Sequence, residues 1–270
     1  MIVGIIGRGR MGSALARALA AHGRPVLIAG RGEPARPPDH FAPYPGIRPV
    51  PTGAVVAGAD LVVLMLPFAA AVELALAGRL DDGRGRTVID ATNPPTAGAA
   101  PPAPAGSGGR LLAELLPQWR VVKALNTVPA GMLDEPVLDG RPVTVPLAGD
   151  HPAAKAEVSA LVRRLGFAPV DVGGIDRAPA LESLADLLMA ISSRHALRGR
   201  IGFQVALAEP GAAMDGGPPG RTPVDSGLSG PAHAEAARRV PTAGGERQRR
   251  PPPAAESIRS PAGRPPRPSR

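Results

Sequence analysis

A glycine-rich hexapeptide near the amino terminus constrains the fold of this chain more than any other feature. Gly7-Arg8-Gly9-Arg10-Met11-Gly12 directly follows an apolar run at residues 2–6 and opens a segment, 11–22, whose apolar side chains recur at helical spacing. A GxGxxG pattern is weak by itself in a chain with 34 glycines. Its position between a strand and an amphipathic helix gives it weight, because that order predicts the first βαβ unit of a doubly wound sheet.

The same alternation of short β-branched runs and helical patterns continues to about residue 208, which predicts a parallel sheet covered by helices. Further strands are expected at residues 25–29, 47–50, 61–66, 87–90, 121–125, 142–148 and 168–172. Further helices are expected at residues 68–80, 111–116, 152–165 and 178–193, with a flexible loop at 94–109. The predicted fold is α/β, a Rossmann-type, doubly wound and mostly parallel sheet with a C-terminal helix.

Residues 209–270 differ in composition from the predicted domain at residues 1–208. They contain only five Leu, Ile, Val, Met or aromatic residues, and about a third of them are Pro or Gly. Such a segment cannot bury enough apolar surface to offset its conformational entropy, so we predict a disordered tail rich in Pro, Arg and Gly. Ten arginines and six acids in this tail account for half of the formal charge of +8. Since the basic clusters carry no interleaved aromatic residues, no specific nucleic-acid partner is expected.

The remaining composition narrows the class of protein further. With no cysteine and five scattered histidines, we expect neither a disulfide nor a metal site. The most apolar stretch, residues 54–77, is interrupted by Asp60, Pro67 and Glu73, so no membrane span is expected. The first six residues run straight into glycine without a basic leader, which predicts a strand rather than a signal peptide and a cytoplasmic location.

The three glycines of the hexapeptide have separate expected roles in binding a dinucleotide. Gly7 makes the tight turn, Gly9 lets a pyrophosphate approach the backbone, and Gly12 lets the helix pack closely on the strand. Backbone N–H groups around Met11, at the start of the helix, then point at the phosphates. Arg8 and Arg10 either add attraction for the phosphates or are solvated surface residues.

The end of the second strand decides which dinucleotide is expected. Where an NAD enzyme places an acid for the ribose, this chain has Gly30 followed by Arg31. A guanidinium binds the 2'-phosphate of NADP through charge-assisted hydrogen bonds, so Arg31 favours NADP. Glu33 is the alternative, because a slip of two or three residues would place it at the ribose and favour NAD.

Three later strand ends are expected to meet at one edge of the sheet, where ligands of open parallel sheets bind. Leu66, Pro67 and Phe68 follow one strand and could wall the adenosine or nicotinamide side. Asn93 follows the next, and Asn126 and Thr127 follow a third, and these polar side chains could hydrogen-bond a carboxamide or a substrate. The alternative is that each is a hydrogen-bonded turn residue.

A proton donor for carbonyl reduction is hard to find in the sequence. There is no Tyr-x-x-x-Lys pair, because the one tyrosine, Tyr44, precedes a proline. His195, near the end of the last predicted helix, is a remote candidate that more often faces solvent.

Several blocks together resemble the NADPH-dependent reductases of the deazaflavin coenzyme F420 and their wider relatives, which include the reductase domain of the Steap metalloreductases. The blocks are residues 5–12 (IIGRGRMG), 29–31 (AGR), 121–130 (VVKALNTVPA), 145–150 (VPLAGD), 170–175 (VDVGGI) and 181–184 (LESL). The resemblance implies a homodimeric NADP-binding reductase domain at residues 1–208 that passes hydride between NADPH and a flavin-like ring. Coenzyme F420 or FMN is then the second substrate, Arg31 binds the 2'-phosphate, and Pro67 and Ala124 line the nicotinamide pocket.

Some positions depart from the pattern of this family and leave the acceptor open. Asn126 stands where deazaflavin reductases commonly carry His, and Glu33-Pro34-Ala35 replaces an expected basic residue. Residues 173–175 read Gly-Gly-Ile where Gly-Pro-Leu is usual. The alternatives are an NADP-dependent reductase of a small carbonyl or imine, and a sensor that binds NADP(H) without turnover.

Overall fold

A computed structural model describes residues 1–32, 39–95 and 106–206 of the chain. The chain divides into two units, Met1–Ala208 and Glu209–Arg270. The predicted tail lies outside the described residues, as do Glu33-Pro34-Ala35 and most of the predicted loop at 94–109. Among the described residues, no helix is both long and apolar enough to cross a membrane.

The main sheet has six strands, all parallel, in the order β3-β2-β1-β4-β5-β6. They are β1 (Val3–Ile6), β2 (Val26–Ala29), β3 (Ile47–Pro49), β4 (Leu61–Leu64), β5 (Thr87–Asp90) and β6 (Arg120–Lys123). The strand order reverses between β1 and β4, which creates the crevice where doubly wound folds bind ligands. The predicted Rossmann-type α/β fold is confirmed.

In the described part of the chain, six α-helices surround the strands. They are α1 (Arg10–Ala21), α2 (Thr52–Gly58), α3 (Phe68–Leu76), α4 (Gly108–Leu115), α5 (Pro152–Arg164) and α6 (Ala178–Arg194). Apolar side chains of each central strand alternate between two cores, so that Ile5 and Val63 pack with α1 and α5 while Ile6 and Val62 pack with α2 and α3. A strand buried on both faces needs this continuous apolar run.

A smaller parallel pair, β9 (Thr144–Leu147) and β10 (Ala168–Asp171), follows the main sheet. Lys123 and Ala148 form an antiparallel bridge that joins the end of β6 to the residue after β9. The predicted strand at 142–148 begins later than expected, because β8 (Arg141–Pro142) pairs with β7 (Val137–Leu138) in a separate hairpin.

The structure differs from the predicted helices in three places. Helix α2 was not expected, because its seven residues are too few to show a clear helical period. Helix α3 ends at Leu76 rather than at residue 80, since Gly78 adopts a φ of 65°. Helix α4 begins at Gly108, inside the expected loop, where the Ser107 hydroxyl accepts a hydrogen bond from the Arg110 amide.

Candidate active-site cleft

A cleft of about 910 Å³ opens at the carboxyl ends of β1, β4, β5 and β6. Its walls come from the turn before α1, the segments after β4, β5 and β6, helix α6, and the chain that follows α6. The sequence-predicted residues that line it are Gly9, Arg10, Met11, Leu66, Pro67, Asn93, Asn126 and Thr127. The structure therefore brings together side chains from four segments that are far apart in the sequence.

The turn between β1 and α1 is built so that only glycine fits at two of its positions. Gly7 has a φ of 125°, and a Cβ atom there would lie 1.9 Å from the Met65 carbonyl oxygen. A Cβ atom on Gly12 would lie 1.7 Å from the Gly7 carbonyl oxygen. These two glycines are required by the close packing of strand, turn and helix.

Gly9 is different, because a Cβ atom there would meet no atom within 4 Å among the described residues. It is the N-cap residue of α1, and no described side chain caps the helix there. The amide groups of the first turn thus face the cleft without a protein acceptor, which fits an anionic diphosphate. A side chain on Gly9 would stand in that space.

Arg8 lies over the end of β2, next to Arg31. A Cβ atom on Gly30 would come within 2.7 Å of the Arg8 Cβ atom and 3.3 Å of its Nε atom, so glycine is needed under this side chain. The Arg8 Nη1 atom is buried without a partner among the described residues. Arg31 is exposed, and neither arginine lines the main cleft. They form a basic corner beside the phosphate turn.

The segment after β6 presents polar side chains to the cleft through an unusual backbone. Leu125 is buried with a φ of 62°, a left-handed conformation that few non-glycine residues adopt. The Asn126 side-chain amide donates to Asn93 Oδ1 and to the Leu181 carbonyl oxygen, both at 3.0 Å. The Asn93 side chain donates in return to the Asn126 carbonyl oxygen at 2.9 Å. The two predicted asparagines therefore lock two strand ends together.

Two polar atoms in this segment remain available. Asn126 Oδ1 and Thr127 Oγ1 are buried and have no hydrogen-bond partner among the described residues. Most buried polar groups have a hydrogen-bond partner. Unpaired groups at the wall of a cleft are therefore suited to hydrogen-bond a ligand.

Phe68 and Ala124, which were predicted to wall the site, do not line the cleft. Phe68 packs under the start of α4, where a Cβ atom on Gly108 would lie 2.7 Å from its ring. Ala124 is fully buried in the core and is not among the residues that line the cleft. Its neighbour Leu125 reaches the cleft surface instead.

The sequence-based prediction missed the opposite wall. Helix α6 contributes Ala185, Leu188, Met189 and Ser192, and the chain after it contributes Arg198 and Gly199. The apolar spacing that predicts a helix at residues 178–193 does not show that Leu188 borders a cleft. Ala196 and Arg198 both have a φ of 51°, so the turn that presents Arg198 is also left-handed.

The prediction also missed a buried ionic cluster beneath the cleft. Lys123 at the end of β6 contacts Asp90 at the end of β5 and Glu182 in α6. The signal was present in the sequence, since Asp90 and Lys123 each follow two buried apolar residues at the end of adjacent strands.

Several side-chain types that commonly act in catalysis are missing from the described lining of the cleft. Among the described residues that line the cleft there is no His, Tyr, Lys, Asp or Glu. His195 is exposed and lies outside the lining. In the described part of the chain, no group of three or more His, Cys, Asp or Glu residues could hold a metal ion.

Known proteins with similar sequences are oxidoreductases or have no assigned activity. The model of a family described as NADP oxidoreductase, coenzyme F420-dependent, matches residues 2–94. Rat metalloreductase STEAP3 is 29% identical over 182 residues, which cover 67% of this chain and 36% of STEAP3. The chain therefore spans about a third of the length of that curated relative.

Solved structures match more of the chain than the family model does. A candidate F420-dependent NADP-reductase from Arthrobacter sp. FB24 is 30% identical, with a TM-score of 0.64, and the match covers 76% of this chain and 99% of that one. Hypothetical protein SMa0349 from Sinorhizobium meliloti is 31% identical, with a TM-score of 0.58, over 66% of this chain and 88% of that one. With its glycine turn, its strand order and these similarities together, the chain belongs to the family of coenzyme F420-dependent NADP oxidoreductases.

Proposed function

We infer that the protein transfers hydride between NADP(H), bound against the β1–α1 turn, and a flavin-like acceptor bound against α6. Coenzyme F420 or FMN is the acceptor class that this function requires. One observation carries the proposal: a single cleft joins the glycine turn to an apolar helix wall, and its described lining has no His, Tyr, Lys, Asp or Glu.

The β1–α1 turn supplies the fit for a diphosphate. Gly7 and Gly12 hold its shape, and Gly9 leaves open the space that a phosphate group needs. The basic corner of Arg8 and Arg31 supports the choice of NADP over NAD, because a second guanidinium beside Arg31 whose Nη1 atom has no partner among the described residues suits the added charge of a 2'-phosphate.

The middle of the cleft supplies the fit for a nicotinamide ring. The carboxamide carries both donors and acceptors, and Asn126 Oδ1 and Thr127 Oγ1 are buried at the wall without partners among the described residues. Leu66 and Pro67 provide an apolar surface beside them. When bound, the nicotinamide supplies the hydride chemistry, while the protein orients the ring and excludes water.

The lining also favours a ring acceptor over a small carbonyl or imine. Reduction of a carbonyl delivers hydride to carbon and needs an acid to protonate the oxygen. Hydride transfer between two stacked rings depends mainly on distance and alignment. The apolar side chains of Ala185, Leu188 and Met189 on α6 suit the flat face of a second ring.

The proposal includes assembly as a homodimer, which the resemblance implies. Light scattering of the purified chain should give twice the monomer mass of 27.4 kDa. A mass of one chain at micromolar concentration would contradict this part of the proposal.

The experiment that tests the function follows the absorbance of NADPH while coenzyme F420, FMN, FAD and a ferric chelate are offered in turn. We expect oxidation of NADPH with a deazaflavin or a flavin, and much slower oxidation of NADH. Oxidation with small ketones or imines but with no flavin would contradict the proposal, and tight NADPH binding without any turnover would favour a sensor.

A further inference from the structure

Among the residues that the structure describes, the largest fully buried side chain is that of Lys123, at the carboxyl end of β6. Its Nζ atom lies 2.8 Å from Asp90 Oδ2, 2.6 Å from the Thr92 carbonyl oxygen and 3.1 Å from Glu182 Oε1. The contacts with Asp90 and Thr92 are hydrogen bonds, and the contact with Glu182 is an ion pair. We call Asp90, Lys123 and Glu182 the buried triad.

The two carboxylates of the triad are held as firmly as the lysine. Asp90 Oδ1 accepts hydrogen bonds from the Thr92 amide at 2.9 Å and from the Thr92 hydroxyl at 2.7 Å. Glu182 accepts from the Gly109 amide at 2.9 Å, from the Ser107 hydroxyl at 3.1 Å and from the Gly108 amide at 3.3 Å. Glu182 therefore joins α6 both to β6 and to the start of α4.

The contacts of Lys123 connect it to two walls of the cleft. Thr92, whose carbonyl oxygen it holds, lines the cleft together with the adjacent Asn93. Glu182 is next to Leu181, whose carbonyl oxygen accepts a hydrogen bond from Asn126. It is also one helical turn before Ala185, which lies in the cleft wall formed by α6. One ammonium group thus connects the wall at the strand ends with the wall formed by α6.

The cost of burying these charges indicates a role beyond stability. Three ionisable groups lose their hydration, and such clusters seldom stabilise a fold more than apolar residues of the same size would. What the triad provides that apolar residues cannot is a fixed direction and distance for each attached segment, because its hydrogen bonds are short and directional.

We propose that Lys123, Asp90 and Glu182 are positioning residues that set the spacing between the strand-end wall and the α6 wall, and so align the two rings. This inference rests on the proposed function, because alignment matters only if a ligand lies against each wall. The triad touches neither ring in this proposal and acts through Thr92, Asn126 and α6.

Replacing Glu182 by glutamine tests the proposal, since it keeps the side-chain length and removes the charge. Misplacement of a reacting group by about 1 Å can cost about 100-fold in rate, so we expect kcat for NADPH oxidation with FMN to fall by about 10- to 100-fold. The dissociation constant for NADPH should change much less than kcat, because among the described residues no hydrogen bond or ion pair joins the β1–α1 turn to the triad. An unchanged kcat, or a loss of NADPH affinity equal to the loss of kcat, would overturn the proposal.

Glu157→Gln is the matched control. Glu157 accepts a hydrogen bond from the Thr87 hydroxyl at 2.5 Å, and Thr87 begins the same strand that Asp90 ends. The same chemical change at the far end of β5 should leave kcat and NADPH affinity near wild type. Should Glu182→Gln fail to fold, Glu182→Asp, which keeps the charge and shortens the reach, replaces it in the same measurements.

Amide hydrogen exchange separates failure of this inference from failure of the proposed function. If none of the acceptors offered supports oxidation of NADPH by the wild-type protein, the proposed function is wrong. Hydrogen exchange alone then decides the role of the triad. We expect Glu182→Gln to speed exchange in residues 124–128 and in α6 while β1 and β4 exchange at the wild-type rate. Unchanged exchange in either of the first two segments would overturn the positioning role.

Discussion

The two sides of the cleft differ in that backbone groups form the surface of one and side chains form the surface of the other. The β1–α1 turn presents backbone amides and three glycines, two of which no other residue can replace without a clash. The α6 wall presents side chains, Leu188, Met189 and Ser192 among them. A backbone surface tolerates almost no substitution, whereas a side-chain surface can change its shape and charge one residue at a time. We therefore expect nucleotide binding to be fixed by the fold and acceptor choice to be set by α6.

The largest effect is expected from Gly12→Ala. Its methyl group would overlap the Gly7 carbonyl oxygen, so the turn must shift, and such overpacking costs about 1–3 kcal/mol of unfolding free energy. NADPH binding, measured by calorimetry, should be lost with it.

Gly9→Ala sharpens the comparison, because no atom lies within 4 Å of its new methyl group in the described protein. Its unfolding free energy should stay within about 0.5 kcal/mol of wild type. NADPH affinity should still fall, since the methyl group occupies the approach of the diphosphate. Wild-type affinity in Gly9→Ala would show that the nucleotide lies elsewhere.

Arg31→Ala should produce the next largest effect. A charge-assisted hydrogen bond contributes about 1.5–3 kcal/mol, so the dissociation constant for NADPH should rise by about 10- to 100-fold. NADH, which lacks the 2'-phosphate, should bind as before. Arg24→Ala is the control, because Arg24 precedes β2 at the opposite end of the strand from Arg31. Equal losses for NADPH and NADH would place Arg31 outside the site.

The β1–α1 turn could be predicted from the sequence more fully than the α6 wall, and the reason is physical. The turn is local, so the spacing of Gly7, Gly9 and Gly12 and their flanking pattern were enough to predict it. Asn93 and Asn126 were predicted because carboxyl ends of parallel strands meet at one edge. The α6 wall depends on tertiary packing between residues about 180 positions apart, and an apolar helical stripe looks the same whether it meets a core or a cleft. For that reason Leu188 and Met189 were missed, and Ala124 was assigned to a wall that Leu125 occupies.

On the side-chain surface, Arg198→Gln should change acceptor choice more than NADPH binding. An exposed charge pair contributes up to about 1 kcal/mol, so KM for FMN should rise by about fivefold while KM for riboflavin, which has no phosphate, stays the same. Arg200→Gln is the matched control, since Arg200 lies on the same turn but pairs with Glu135 and does not line the cleft. The hydrogen bond from Arg200 lowers the pKa of the Glu135 carboxyl, which shows that this arginine is already engaged. Equal effects of the two variants would remove Arg198 from the acceptor site.

The smallest effect is expected from Thr127→Val. Its hydroxyl is buried without a described partner, so valine, which has the same shape, should raise the unfolding free energy of the ligand-free protein by about 1 kcal/mol. NADPH affinity should fall a few-fold, as thermal denaturation with and without NADPH would reveal. A loss of stability in the ligand-free protein would mean that the hydroxyl already has a partner.

Hydrogen exchange on adding NADPH tests the position of the nucleotide most directly. If the diphosphate lies against the β1–α1 turn, the amides of residues 9–13 should exchange much more slowly in the complex, and the surface of α5 should not change. If NADPH binds tightly and the exchange of residues 9–13 does not change, the diphosphate does not lie against the β1–α1 turn. The assignment of the two sides of the cleft to nucleotide and acceptor would then be wrong.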